Sequence, residues 1–104
     1  MQNGNVLAVV PVYNEVDRIT ETIEGLKKIS VIDEIVIIND GSTDNTAKVV
    51  EKLGVSIINL AKNHGKGFAM KKAIEELEYD YIAFVDGDLG QSSTEVEKLL
   101  YPVI

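Results

Sequence analysis

"EIVIINDGSTDNTAKVVEKLG", Glu34 to Gly54, changes its hydrophobic period partway along. Glu34 to Asp40 is a short, nearly continuous apolar run rich in β-branched residues, the pattern of a strand covered on both faces. Gly41 then breaks the run, and Ser42, Thr43 and Asp44 have the short oxygen-bearing side chains suited to a helix N-terminus. A helical pattern follows and stops at Gly54, a residue that tolerates the left-handed conformation found just past helix ends. A strand thus passes into a helix across one polar loop.

The same unit recurs on both sides. Upstream, "VLAVVPV" (Val6 to Val12) reads as a strand. Val16, Ile19, Ile23, Leu26 and Ile29 then recur every three or four residues, as on one face of a helix. Downstream, Val55 to Leu60 reads as a third strand, Gly67 to Leu77 as a third helix and Tyr81 to Val85 as a fourth strand. Ser92 with Glu95 forms a capping box ahead of Val96, Leu99 and Leu100, predicting a fourth helix. The order β-α-β-α-β-α-β-α predicts an α/β fold: a mostly parallel four-stranded sheet with helices on both faces, in one domain over residues 1–104.

Composition narrows the function. The formal charge is −7, which disfavours nucleic acid and anionic membrane surfaces, because both need a basic face. Without cysteine, disulfides and thiolate metal sites are excluded. A single histidine rules out a histidine-rich zinc site. No apolar run reaches the ~20 residues of a membrane span. The start "MQNGNVLAVVPVYNE" lacks a basic leader and a small-residue cleavage site, so a cytoplasmic location is the default expectation.

In parallel α/β sheets, ligands bind outside the carboxyl ends of the strands. Polar clusters follow all four strands: "YNE", "NDGSTDN", "NHGKG" and "DGDLGQ". Asp86-Gly87-Asp88 offers only oxygen ligands, which suit Mg²⁺ or Mn²⁺; an acidic turn is the plainer alternative. Asp40 ends its strand where a carboxylate could accept hydrogen bonds from a base or ribose, while Ser42 to Asp44 are assigned to helix capping. Gly65 and Lys66 open the third helix, where backbone N–H groups and a cation could hold a phosphate; a solvated lysine in a glycine-rich connection is equally open. The order of residues there fails the Walker A pattern, which excludes a P-loop NTPase. Tyr13 could stack on a base or fill the core. Glu15 could bind a ligand or sit in the first turn of the first helix.

"VVPVYNE", "EIVIINDGSTDNT", "NHGKGFAMKKAI" and "YIAFVDGDLG", in this order and spacing, resemble the nucleotide-binding half of the family 2 glycosyltransferases. Within that family the chain looks most like the polyprenyl- or dolichyl-phosphate sugar synthases. The resemblance implies a Rossmann-like GT-A half-domain, truncated relative to the full family domain. It also implies metal-assisted transfer, with inversion, from a UDP- or GDP-sugar to an acceptor such as polyprenyl phosphate or a saccharide. By that resemblance Pro11, Tyr13 and Glu15 border the base and ribose, Asp40 hydrogen-bonds the base, and Gly65 and Lys66 border the base and diphosphate. Asp88 is the implied metal ligand, with Asp86 shared between metal and sugar, and Mg²⁺ or Mn²⁺ is the implied cofactor. Gln91 lies three residues after Asp88, and Gly90 stands where the polyprenyl-type enzymes often carry a metal-binding glutamine.

The chain shows no counterpart of the family's second half, which supplies acceptor contacts and the catalytic base. A parent protein associated with a membrane would fit a lipid acceptor. An open sheet edge would favour self-association of this chain. Two other classes make different demands on the sequence. A non-catalytic α/β binding or assembly module would not need the two aspartates. A sugar-phosphate nucleotidyltransferase normally has a basic, glycine-rich loop after its first strand, and "PVYNE" has neither glycine nor lysine.

Overall fold

The apolar run Val6–Val12 forms β1, and β1 lies in the interior of the sheet. The structure, a computed structural model, describes residues 5–87. The remaining described elements are α1 (Ile19–Lys27), β2 (Glu34–Asp40), α2 (Thr46–Leu53), β3 (Ser56–Leu60), α3 (Lys66–Glu76) and β4 (Tyr81–Phe84). The fourth helix expected after Ser92 lies outside the described residues, as do Asp88 and Gln91.

All pairings are parallel, in the order β3-β2-β1-β4. Leu7 to Val12 pair with Glu34 to Asn39, and Val6 to Val9 pair with Tyr81 to Phe84. Successive strand residues point to opposite faces, which divides the core in two. Ala8, Val10, Val12, Ile35 and Ile37 face Ile19, Ile23 and Leu26 of α1 and Val50 of α2. Leu7, Val9, Val36 and Ile38 face Ala69 and Ala73 of α3. Fully burying an isoleucine or leucine contributes about 1.5–3 kcal/mol, so the first face carries the greater share of the stabilisation.

The helix placement follows from crossover handedness. A right-handed connection puts its helix on one face when the chain steps one way along the sheet and on the other when it steps back. Steps β1 to β2 and β2 to β3 share a direction, and α1 and α2 share a face. The chain then crosses back over β2 and β1 to β4, and α3 packs on the opposite face.

Helix α1 starts later than its apolar spacing suggests. The Glu15 carbonyl accepts the amides of Arg18 and Ile19 at 3.0 and 2.9 Å, forming a turn ahead of the helix. The Val16 amide, which that spacing would place in the helix, points instead at the Asp44 carboxylate, 3.3 Å away. Helix α2 ends as expected, with Gly54 in the left-handed conformation. Strand β4, read from the sequence as Tyr81 to Val85, ends at Phe84. Among the described residues it is an edge strand, half-buried, with Phe84 36% exposed.

Candidate functional site

Strand β1 is followed in sequence by β2 on one side and bordered by the much later β4 on the other, so the strand order reverses at the β1/β4 junction. Such a switch point opens a crevice at the carboxyl ends of the strands. A cleft of about 190 Å³ lies there, lined by Pro11, Val12, Tyr13, Glu15, Asp40, Asp86 and Gly87.

Pro11 helps explain the opening. Along a strand, alternate residues direct their backbone groups to alternate neighbours. The Val9 carbonyl accepts the Val85 amide at 3.0 Å, so residue 11 also addresses the β4 side. A proline has no N–H to offer there. Pairing with β4 is over by that point, while Pro11 stays in register with Ile38 of β2. Proline is tolerated in an interior strand here because the neighbouring strand has already ended.

Two loops forming one wall are sewn together. Asn14 adopts φ 54°, a left-handed conformation that asparagine accepts more readily than most residues. Its Oδ1 accepts the amides of Thr43 and Asp44 at 2.8 and 3.2 Å, and its own amide donates to Ser42 Oγ at 2.9 Å. The Glu15 amide donates to Thr46 Oγ1 at 3.0 Å. Asp44 accepts the amide and hydroxyl of Thr46 as well as the amide of Val16. Partial burial raises the Asp44 pKa, but these hydrogen bonds outweigh it and hold the carboxyl below its ordinary value. Sequence reasoning gave Ser42 to Asp44 to helix capping. Only Asp44 reaches an α2 amide, while Ser42 and Thr43 engage Asn14 of the neighbouring loop.

Asp40 is 4% exposed at the end of β2. Its Oδ1 accepts the His64 amide and its Oδ2 the Gly65 amide, both at 2.8 Å. Charge-assisted bonds of this kind are among the stronger ones in proteins. They fix the loop between β3 and α3. They also commit the Gly65 amide that the sequence suggested for an anion, so any phosphate contact in that loop must come from other groups. Lys66 opens α3, and its side chain lies outside what the structure describes. His64 stacks on Phe68 with ring centroids 4.2 Å apart, away from the cleft lining.

At the other wall Asp86 is exposed to the cleft and Gly87 is buried against β1. A Cβ on Gly87 would lie 2.5 Å from Val12 Cγ1, so with any other residue at 87 the segment after β4 could lie this close to β1 only if Val12 shifted. Thr22 of α1, fully buried, donates from its hydroxyl to the Gly87 carbonyl at 3.0 Å.

The cleft therefore gathers Pro11, Tyr13, Glu15, Asp40 and Asp86. Gly65 stands behind Asp40 instead of on the lining. Tyr13 is 44% exposed, which decides against a core role. Glu15 precedes α1 and is half-buried at the cleft. Asn14, Thr22 and Thr46 escaped sequence reasoning. Their signals were weak: an asparagine at a strand-to-helix turn, and threonines that look like ordinary helix residues.

The acidic side chains lining the cleft offer oxygen and neither nitrogen nor sulfur, the donor type that suits a hard divalent cation. Among the described residues no group of three or more acidic, histidine or cysteine side chains lies close enough to hold a metal ion alone. A cation here would need further oxygen ligands, as Mg²⁺ commonly draws from substrate phosphates.

Residues 7–103 match the model of the family described as Glycosyl transferase family 2. A Methanocaldococcus jannaschii protein named "Uncharacterized protein MJ0544" is 35% identical over 105 aligned residues, which cover 91% of this chain and 45% of that protein. TarS from S. aureus, in complex with UDP, superposes with a TM-score of 0.73 at 32% identity, covering 81% of this chain and 27% of that one. The mannosyltransferase PcManGT from Pyrobaculum calidifontis, in complex with GDP-Man and Mn²⁺, superposes over 100% of this chain and 34% of its own with a TM-score of 0.76. At 21% identity, that likeness speaks for the fold alone. The chain spans less than half the length of each of these relatives.

Proposed function

This chain belongs to glycosyl transferase family 2, and we propose from that premise that its cleft binds the nucleoside diphosphate of a sugar donor for transfer to an acceptor. One observation carries the reading. The exposed Tyr13 and the acidic residues Glu15, Asp40 and Asp86 line one cleft at the switch point of a parallel sheet, where this fold class binds nucleotides.

Tyr13 offers a face for a nucleobase. Glu15 can accept from ribose hydroxyls. Asp40 keeps lone pairs beyond the two spent on His64 and Gly65, enough to accept one N–H from a base at the cleft. Asp86, with Asp88, would hold Mg²⁺ or Mn²⁺ against the diphosphate. That cation would supply Lewis-acid stabilisation of charge on the leaving nucleoside diphosphate. Lys66 adds positive charge at the start of α3. The chain's own residues thus bind and orient the donor. Attack by an acceptor hydroxyl, with inversion at the anomeric carbon, requires a general base that we place outside these residues. Polyprenyl phosphate and saccharide hydroxyls are the two acceptor classes of this proposal. The UDP complex of TarS supports testing UDP, with GDP as the second base of this proposal.

Calorimetry on the 104-residue chain with UDP and GDP, with and without Mn²⁺, provides the test. Binding is expected only with metal, and Asp86→Ala should weaken it at least tenfold. Absence of metal-dependent binding of either nucleotide would overturn the proposal.

A further inference from the structure

We propose that Thr22 is a positioning residue for the metal-side wall of the cleft, setting the Asp86–Gly87 turn from beneath through its buried hydroxyl. This inference rests on the donor-site reading above. Thr22 belongs to α1 and Gly87 to the segment after β4, so the contact joins parts of the chain 65 residues apart. Both residues are buried. A buried carbonyl needs a donor, and the structure supplies Gly87 with this hydroxyl.

The hydroxyl has one proton, and among the described residues its acceptors within reach are Gly87 O at 3.0 Å and Arg18 O at 3.1 Å. The Arg18 carbonyl already accepts the Thr22 amide at 3.0 Å in the helical ladder. Back-bonding to a satisfied helical carbonyl adds little and tends to bend the helix. The proton is therefore better spent on Gly87.

The geometric consequence is direct. The Gly87 carbonyl lies in the peptide plane that leads into Asp88, and the preceding plane leads out of Asp86. Gly87 lacks a side chain and has wide conformational freedom of its own. Two contacts restrain it: Val12 against its Cα, and Thr22 on its carbonyl. The first limits approach, while the second sets rotation. Fixing that rotation steadies the turn that presents the Asp86 carboxylate, and a cation shared with a diphosphate tolerates little error in ligand direction.

The experiment compares Thr22→Val, Thr22→Ser and Thr22→Cys in the 104-residue chain. Valine keeps the shape and removes the donor. Serine keeps the donor, and cysteine matches serine closely in size but donates weakly. For each variant, UDP and GDP affinity is measured with Mn²⁺ by calorimetry, alongside the thermal midpoint. Thr22→Val is expected to weaken metal-dependent nucleotide binding by about tenfold, the effect of one buried hydrogen bond. Thr22→Ser should stay within about twofold of the parent, and Thr22→Cys should fall between. A lower thermal midpoint with unchanged affinity would mark Thr22 as merely structural and overturn the inference. If Thr22→Val fails to fold, equal affinities for the serine and cysteine variants overturn it in the same way. A parent chain that binds neither nucleotide defeats the donor-site reading itself, and this inference with it.

Discussion

The same pair of residues stands at the ends of two strands of this sheet: Asp40-Gly41, where β2 closes, and Asp86-Gly87, just beyond β4. Their surroundings differ in every respect that matters for function. Asp40 is buried, with both oxygens holding the amides of His64 and Gly65. Asp86 is exposed to the cleft. Gly41 has φ 75°, and a Cβ there would lie 2.5 Å from the carbonyl carbon of Lys62 and 2.6 Å from the amide nitrogen of Asn63. Gly87 meets a side chain, Val12, at the same 2.5 Å. One aspartate-glycine pair is a structural joint between two loops. The other presents a carboxylate to the ligand edge and is steadied from below.

The largest expected effect tests the joint. Gly41→Ala adds a side chain against backbone that cannot yield and forces alanine into the left-handed region. Strain and overlap together should cost about 3 kcal/mol or more, read as a lowered urea midpoint at unchanged slope. A cost below about 1 kcal/mol would show that the two glycines are equivalent after all.

Gly87→Ala should cost less, about 1–2 kcal/mol, because Val12 can move where backbone cannot. The distinction sharpens in a double-mutant cycle. Val12→Ala alone destabilises by loss of burial, but combined with Gly87→Ala it should show a favourable coupling of about 1 kcal/mol. Strict additivity would mean that the strain at Gly87 lies elsewhere.

The smallest effect concerns the sewn loops beside the first joint. The Asp44 carboxyl is held below its ordinary value in the fold. A depressed folded-state pKa contributes stability that is fully present above the unfolded value and lost as pH falls through the folded one. Acidification through and below the ordinary aspartate range should therefore loosen this wall. Asp44→Asn should cost less than about 1 kcal/mol at neutral pH and flatten the acid side of the stability profile. An unchanged acid profile in Asp44→Asn would assign that dependence to other carboxylates.

Much of this was legible in the sequence. The bounds of β1 and β2 follow directly from Val6–Val12 and Glu34–Asp40, because short apolar runs between polar turns leave few alternatives. The cleft residues Pro11, Tyr13, Glu15, Asp40 and Asp86 were recoverable because the strand ends of a parallel sheet share one edge. Other features were not legible. The late start of α1 depends on the Val16 amide finding Asp44, a partner 28 residues away. The division of labour between Asp40 and Asp86 depends on which loop lies against each carboxylate. Thr22 reads as an unremarkable helix position until Gly87 is placed beside it.

The amino-acid sequence by itself determined the alternation of strand and helix, the choice of buried faces and the clustering of polar loops at one edge. Those properties are local, written in periodicity and in the conformational preferences of glycine, asparagine and proline. Only the tertiary structure decided the order β3-β2-β1-β4, the opening beside Pro11, and which of two identical aspartate-glycine pairs at the cleft is locked onto a neighbouring loop and which stands exposed. Each of these depends on hydrogen bonds and contacts between residues distant along the chain, whose pairing no local pattern encodes.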